Sequence, residues 1–318
     1  MSLKKVVRLL KRKNSFLISA HINLEGDALG SELALARLLK ALGKKVYVVN
    51  QDKTPLLYKF MPGVKSILQP TGKPLNFEVA LIVDCSDLER IGSVKKNIGR
   101  DKTIVNVDHH ISNVKFGDIN WVEPEASSAC EMVYEIYREW GFKIDKAAAE
   151  LLYTGIMVDT GSFRYANTTP VTHLAAADLL RLGISADKIH NLVYGSTPLS
   201  ELKLFSQLLA GFKVDKTKKI IWLTIKEKSL DEKKMVTDVT EYIFNFFRSV
   251  GGIEVALIFR ETGKNRVKVN FRSRGKVDVA QIAGLFGGGG HRRASGCTVN
   301  AGLNAAQRLV LSKIKKAI

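Results

Sequence analysis

The chain has 318 residues, of which 46% are hydrophobic and 25% charged, with a formal net charge of +18. That length leads us to expect two domains of ordinary size, and the apolar content excludes a disordered chain. No apolar run reaches membrane-spanning length, and the start Met1-Ser2-Leu3-Lys4-Lys5 lacks a signal-peptide core, so a soluble cytoplasmic protein is expected. Residues 1–13 predict a basic amphipathic helix with Val6, Leu9 and Leu10 on one face. Residues 15–20 read as a buried strand ending at His21. Helical spacing over residues 28–42, stopped by Gly43, predicts a helix. His21, Glu25 and Asp27 then fall on a strand-to-helix loop. Residues 46–49 and 79–83 are further strands, the latter ending at Asp84, and a fourth, Ile104-Val105-Asn106-Val107, is closed by Asp108-His109-His110. Continuous apolar runs alternating with helical segments indicate an α/β fold with a parallel sheet covered by helices on both faces. Ligands bind at the carboxyl ends of such strands, so one pocket can gather Asp27, Asp84 and Asp108.

Ser128-Ala129-Cys130-Glu131 reads as a capping box opening a helix to about residue 140. The next helix, 146–157, delivers Asp159 into the loop Asp159-Thr160-Gly161-Ser162-Phe163-Arg164. Gly161 and Ser162 permit a tight turn there, and Arg164 adds a planar donor suited to phosphate. His173 and His190 sit on ordinary amphipathic helices and read as structural. We place a first domain at 1–188, a helical linker at 189–212 and a smaller α/β domain at 213–318. In the last, strands are predicted at 220–225, 253–258 and 267–272, and helices at 239–250 and 305–317. Its run Phe286-Gly287-Gly288-Gly289-Gly290-His291-Arg292-Arg293, with Arg272-Ser273-Arg274 before it, places free backbone N–H groups and cations in one loop, as phosphate binding requires. From residue 211 onward 22 Lys and Arg stand against 9 Asp and Glu, so this part carries most of the charge. Such a balance suits either a solubility surface or a polyanion-binding face. Cys85, Cys130 and Cys297 lack CxxC spacing, which indicates neither a disulfide framework nor a thiolate zinc site.

The ordered set formed by the His21 to Asp27 loop, Asp84, Asp108-His109-His110, Asp159 and the terminal Gly-Gly-Gly-His resembles the DHH phosphoesterase family with a C-terminal DHHA1 domain. Within it the chain is most similar to small bifunctional oligoribonucleases that also dephosphorylate 3′-phosphoadenosine 5′-phosphate. The resemblance spans essentially the whole chain. It implies two Mn²⁺ ions, with Mg²⁺ as the alternative, held by His21, Glu25 and Asp84 on one side and by Asp27, Asp84, His109 and Asp159 on the other. Asp84 would bridge, Asp108 would orient His109, and His110 would contact the scissile phosphate, with Arg164 nearby. Arg272, Ser273, Arg274, Gly288, Gly289, Gly290, His291 and Arg292 would bind the rest of the nucleotide. Leu24 and Glu25 depart from the family pattern, which has proline and Asp there. The extra methylene of Glu25 puts its part in the first ion's site in question.

Independently of the resemblance, carboxylates and imidazoles without thiolates favour Mn²⁺ or Mg²⁺. Two such ions can activate water for in-line attack on a phosphoryl group. The expected partners are short RNA and nucleoside 3′,5′-bisphosphates, without a membrane, and a homodimer is compatible with the sequence. Alternatives are a phosphodiesterase for linear or cyclic dinucleotides, a RecJ-like single-strand exonuclease, a family II pyrophosphatase, and a non-catalytic nucleic-acid-binding protein on a degenerate phosphoesterase fold.

Overall fold

Val6, Val7 and Leu10 form the buried face of α1 (Leu3–Arg12), the helix that opens the computed structural model. The structure describes residues 3–71, 75–195, 197–227 and 239–318, divided into the units Met1–Gly195 and Ser196–Ile318. Residues 1 and 2 of the expected first helix lie outside the described residues.

In the first unit the apolar runs become β1 (Ser15–Ser19), β2 (Lys45–Val48), β3 (Val79–Val83) and β4 (Thr103–Asp108). A strand that the sequence did not announce, β5 (Ile119–Val122), adds the edge. It is short and half exposed, and its Asn120 side chain bridges back to the Gly117 backbone, so neither length nor apolar pattern marks it. The sheet is wholly parallel, in the order β2-β1-β3-β4-β5. Phe16, Ile18, Leu81, Val83, Val105 and Val107 face one core. That core is shared with α1, α2 (Gly26–Ala41), α3 (Ala129–Trp140), α4 (Lys146–Asp159), α5 (Pro170–Leu180) and α6 (Ala186–Tyr194). Leu17, Ala80 and Ile82 face the other way, onto Phe77, Ile91 and Val94. There the cover is the 3₁₀ segment Leu88–Asn97 rather than an α-helix. The strand order reverses between β1 and β3, and the crevice at such a switch point is where open parallel sheets bind ligands.

Two boundaries shift relative to expectation, and both matter for the site. Helix α2 begins at Gly26, so Asp27 stands in its first turn rather than in the preceding loop. Helix α4 runs on to Asp159, which is its last residue. Each shift fixes a carboxylate on a rigid element instead of a loop.

The second unit is built on a mixed sheet in the order β10-β11-β9-β8-β7-β6. Its strands are β6 (Lys213–Val214), β7 (Ile220–Ile225), β8 (Val255–Gly263), β9 (Arg266–Ser273), β10 (Gly289–His291) and β11 (Ala294–Val299). Helices α7 (Leu199–Leu209) and α8 (Val239–Ser249) cover one face, burying Phe205, Ile243 and Phe244 against Ile221 and Leu223. Helices α9 (Val279–Gly284) and α10 (Leu303–Lys315) cover the other, with Ile282, Val310 and Ile314 against Leu257, Phe259 and Phe271. Within the expected linker, α6 buries Ile189 and Val193 in the first unit's core, whereas α7 belongs to the second unit through Phe205.

Candidate metal centre

Three strand ends and two helix ends in the first unit bring eight polar side chains together, seven of which could ligate a metal. His21 follows β1, Asp84 follows β3, and Asp108-His109-His110 closes β4; Glu25 precedes α2, Asp27 opens it and Asp159 ends α4. Asp84 is central and 1% exposed. Its Oδ2 lies 3.3 Å from His21 Nε2, which is itself 3.9 Å from Glu25 Oε1. Its Oδ1 faces the other way, 3.5 Å from His109 Nε2 and 3.6 Å from His110 Nδ1. His109 Nε2 also approaches Asp159 Oδ2 at 3.6 Å and Asp27 Oδ2 at 3.8 Å. The ligand atoms of His21, Glu25 and Asp84 lie within 4.8 Å of one another, and so do those of Asp27, His109 and Asp159. Asp84 reaches its position through a left-handed backbone, φ 50°, a conformation that a non-glycine residue keeps only where its surroundings enforce it.

Supporting contacts fix these groups from behind. Asp27 accepts hydrogen bonds from the Ala129 and Cys130 amides, at 2.7 and 2.8 Å, so its carboxylate sits on the N-terminus of α3. His109 Nδ1 faces the Ala126 carbonyl at 3.3 Å. Asp108, expected to orient His109, pairs through Oδ1 with His110 Nδ1 at 2.7 Å, and its Oδ2 accepts from Asn113 at 2.6 Å. Alternation along an extended chain explains this, since residues 108 and 110 share a side and 109 points away. Asn113, which also reaches Asn106, and the α3 amides were missed as supports. Ser128, read as an N-cap, implied unsatisfied amides there that a buried carboxylate could meet. Only half of the expected capping box forms: Ser128 accepts from the Glu131 amide, but the Glu131 carboxylate accepts instead from Ser127 and Thr172, at 2.6 and 2.7 Å. Arg164 is exposed and donates to the Gly161 carbonyl at 2.7 Å, outside the ligand groups.

The electrostatics of this cluster suit a cation. Burial, reinforced by Asp84, pushes Asp27 up to about 7. Burial, with Asp27, Glu25 and Asp84 adding to it, raises Asp159 well above the carboxylate range. Burial would lower His21 and His109, yet the carboxylates around them raise His21 to about 9 and His109 well above its ordinary value. Burial likewise opposes the charge on Asp84, but His109 and His21 hold its carboxyl well below the usual range. Left to itself, the cluster can balance its carboxylates only by keeping protons that a divalent ion would displace. Asp84 Oδ2 is buried without a hydrogen bond, as an oxygen reserved for a metal would be. The donors are oxygen and imidazole nitrogen, the thiols of Cys85 and Cys130 being held protonated by burial. Such a set fits Mn²⁺ or Mg²⁺. Leu24 is buried in the core, and Glu25 brings an oxygen into the group.

The glycine-rich stretch of the second unit is a hairpin rather than an open loop. Gly289 to His291 pair with Ala294 to Gly296, leaving Arg292-Arg293 as a two-residue turn. The Gly288 amide donates to the Ala283 carbonyl at 2.9 Å. A side chain at Gly288 would strike the Gly296 carbonyl, so close backbone pairing selects glycine here. Strand β10 is a sheet edge, and its outward amides are those available to a ligand. Arg272 pairs with Glu241 and stacks on Phe244 at 4.9 Å, Ser273 donates to the Val277 carbonyl at 2.8 Å, and Arg274 and Arg292 are exposed. His291 is half-buried in β10.

Comparison with known proteins shows the family to which the chain belongs. The DHH family, N-terminal domain, matches residues 15–156, and the DHHA1 domain matches residues 218–318. A protein of Thermus thermophilus named bifunctional oligoribonuclease and PAP phosphatase is 30% identical over 95% of this chain and 89% of its own. Its Bacillus subtilis namesake is 27% identical over 92% of each chain. The crystal structure of an exopolyphosphatase-related protein from Bacteroides fragilis superposes with a TM-score of 0.89 at 27% identity, over 99% of this chain and 95% of the other. Among the described residues no helix is long and apolar enough to cross a membrane. With both domain matches in order along the chain and relatives aligned over nearly its full length, this protein belongs to the DHH/DHHA1 phosphoesterase family.

Proposed function

We propose that the chain is a divalent-metal-dependent phosphoesterase that hydrolyses short oligoribonucleotides to mononucleotides and removes the 3′-phosphate of 3′-phosphoadenosine 5′-phosphate. The observation that carries this reading is Asp84, whose two oxygens face separate groups of ligands, His21 with Glu25 and His109 with Asp27 and Asp159. The names of the relatives supply the substrate class. In this reading His21, Glu25 and Asp84 hold one Mn²⁺ and Asp27, Asp84, His109 and Asp159 another. Bound there, such ions neutralise phosphoryl charge and lower the pKa of the attacking water. The protein's own groups do the rest. With Asp108 accepting from Nδ1, the doubly protonated ring of His110 offers its Nε2–H to a phosphoryl oxygen. Arg292, Arg274, His291 and the outward amides of β10 bind the remainder of the nucleotide. Arg272 can join them only by loosening its pair with Glu241.

The test is a substrate panel at saturating Mn²⁺: pApA, a short RNA, 3′-phosphoadenosine 5′-phosphate, cyclic di-AMP, long single-stranded DNA and pyrophosphate, each repeated after chelation. We expect turnover of the first three, lost on chelation and restored by Mn²⁺. Preference for long DNA or for pyrophosphate would refute the assignment, as would full activity in the chelator.

A further inference from the structure

On the second unit, a cavity of about 720 Å³ opens between the C-terminal end of α10, the exposed side of α9 and the β10–β11 turn. Four cations line it: Lys276, Arg292, Lys313 and Lys316. None of them forms an ion pair among the described residues, whereas Lys219 and Arg272 in the same unit pair with Glu254 and Glu241. The one carboxylate in the lining, Asp278, is committed elsewhere, accepting from the Ala280 and Gln281 amides at 3.0 and 3.2 Å as the cap of α9. Four cations around a single carboxylate leave an excess of positive charge that works against folding, and an anion would relieve the repulsion.

The frame around the cavity is fixed by the backbone. The Val279 amide donates to the Arg292 carbonyl at 2.9 Å, Ser273 to the Val277 carbonyl at 2.8 Å, and Ser295 to the Val279 carbonyl at 2.7 Å. The turn that carries Arg292 is therefore tied to the segment that carries Lys276. No aromatic side chain lines the cavity; its apolar wall is aliphatic, with Leu285 64% exposed. A site reading bases would add stacking rings to the charge.

We infer that this cavity binds a run of consecutive phosphates, as in single-stranded RNA or inorganic polyphosphate, through its cations and without recognising bases. Only Arg292 is shared with the nucleotide-binding residues proposed above, and the inference stands without the phosphoesterase reading. Lys313, in the last turn of α10, and Lys316, at its C-cap, lie outside that machinery.

The test is fluorescence anisotropy on the full-length, metal-loaded protein. The probes are a short labelled phosphorothioate RNA, its uncharged methylphosphonate counterpart, and labelled linear polyphosphate. The double reversal K313E/K316E should weaken binding of the charged probes roughly tenfold and flatten the salt slope by about two, while the milder K313Q/K316Q costs roughly threefold. Turnover of pApA should be unchanged in both variants, which also certifies that they fold. The pair K264E/R266E, at the β8–β9 turn, changes the net charge equally and should leave binding intact. A loss confined to RNA, or to polyphosphate, identifies the source of the phosphates. Unchanged binding of both probes overturns the inference. So does an equal loss in K264E/R266E, or retention of the methylphosphonate probe at the affinity of its charged counterpart.

Discussion

Asp27 and Asp159 reach the same site because α2 and α4 pack almost backbone to backbone, and replacing Gly155 by Ala tests that dependence. A Cβ built on Gly155 would lie 2.2 Å from Cys130 Sγ, 2.9 Å from Asp27 Oδ1 and 3.0 Å from Asp27 Cα. Separations that short cannot persist, and all three atoms belong to fully buried residues, so α2 must move or Cys130 must turn. Ala is the better helix former by about 1 kcal/mol, while overpacking a close-packed core costs about 1–3 kcal/mol. The expected balance is a destabilisation of about 1 kcal/mol, a fall in Tm of about 2–4 °C for a unit of this size. Catalysis should suffer far more than stability. A displacement of Asp27 approaching 1 Å would lower kcat/KM by about 10²-fold and weaken Mn²⁺ binding, measured by calorimetry. Adding Cys130→Ala removes the nearest clash and should recover part of both, with a coupling of about 0.5–3 kcal/mol in the cycle. A Gly155→Ala enzyme with wild-type kcat/KM and Mn²⁺ affinity would refute the claim that α2–α4 contact sets the position of Asp27.

Asp84→Asn should lower kcat by at least about 10³-fold with the fold retained by circular dichroism, because on the proposed reading it removes a ligand from both groups, whereas Glu25→Gln should spare one group and retain measurable turnover; equal losses in steady-state assays would contradict a bridging Asp84. His110→Ala should reduce kcat by about 10²–10³-fold, and Arg292→Ala should chiefly raise KM, so a kcat effect alone for Arg292 would remove it from substrate binding. Glu32 is fully buried on α2, accepts from Asn50 at 2.7 Å, and is raised by burial from 4.5 to about 8. Its folded-state pKa lies above the unfolded one, so the native state binds the extra proton and stability falls as pH rises between those values. Urea melts of Glu32→Gln across pH 5 to 8, a range chosen to span that shift, should show a flatter dependence than wild type; parallel curves would argue against it.

How far the sequence reaches can be judged from particular residues. Strands β1, β3 and β4 were readable because each is a run of apolar residues buried on both faces. Strand β10 was not, since glycine has little β preference of its own and pairs here only because β11 lies beside it. Glu131 shows the same limit at a helix start, where Ser127 and Thr172 outcompete the local cap. The partner of Asp108 was readable in principle: alternation already put Asp108 and His110 on one side of the chain, and a motif read as three consecutive letters hid it.

The convergence of these side chains was legible for a topological reason. In a parallel sheet all carboxyl ends lie along one edge, so motifs that follow successive strands must converge in space however many residues separate them. His21, Asp84 and Asp108 are far apart in sequence, yet they follow neighbours in the order β1-β3-β4. Asp27 and Asp159 obey a different rule. They stand on helices, and only the approach of α2 to α4 through glycine brings them to that edge. Glycine in a helix ordinarily reads as a weak point. At Gly155 it is the absence of a side chain that lets the second group of ligands close around His109.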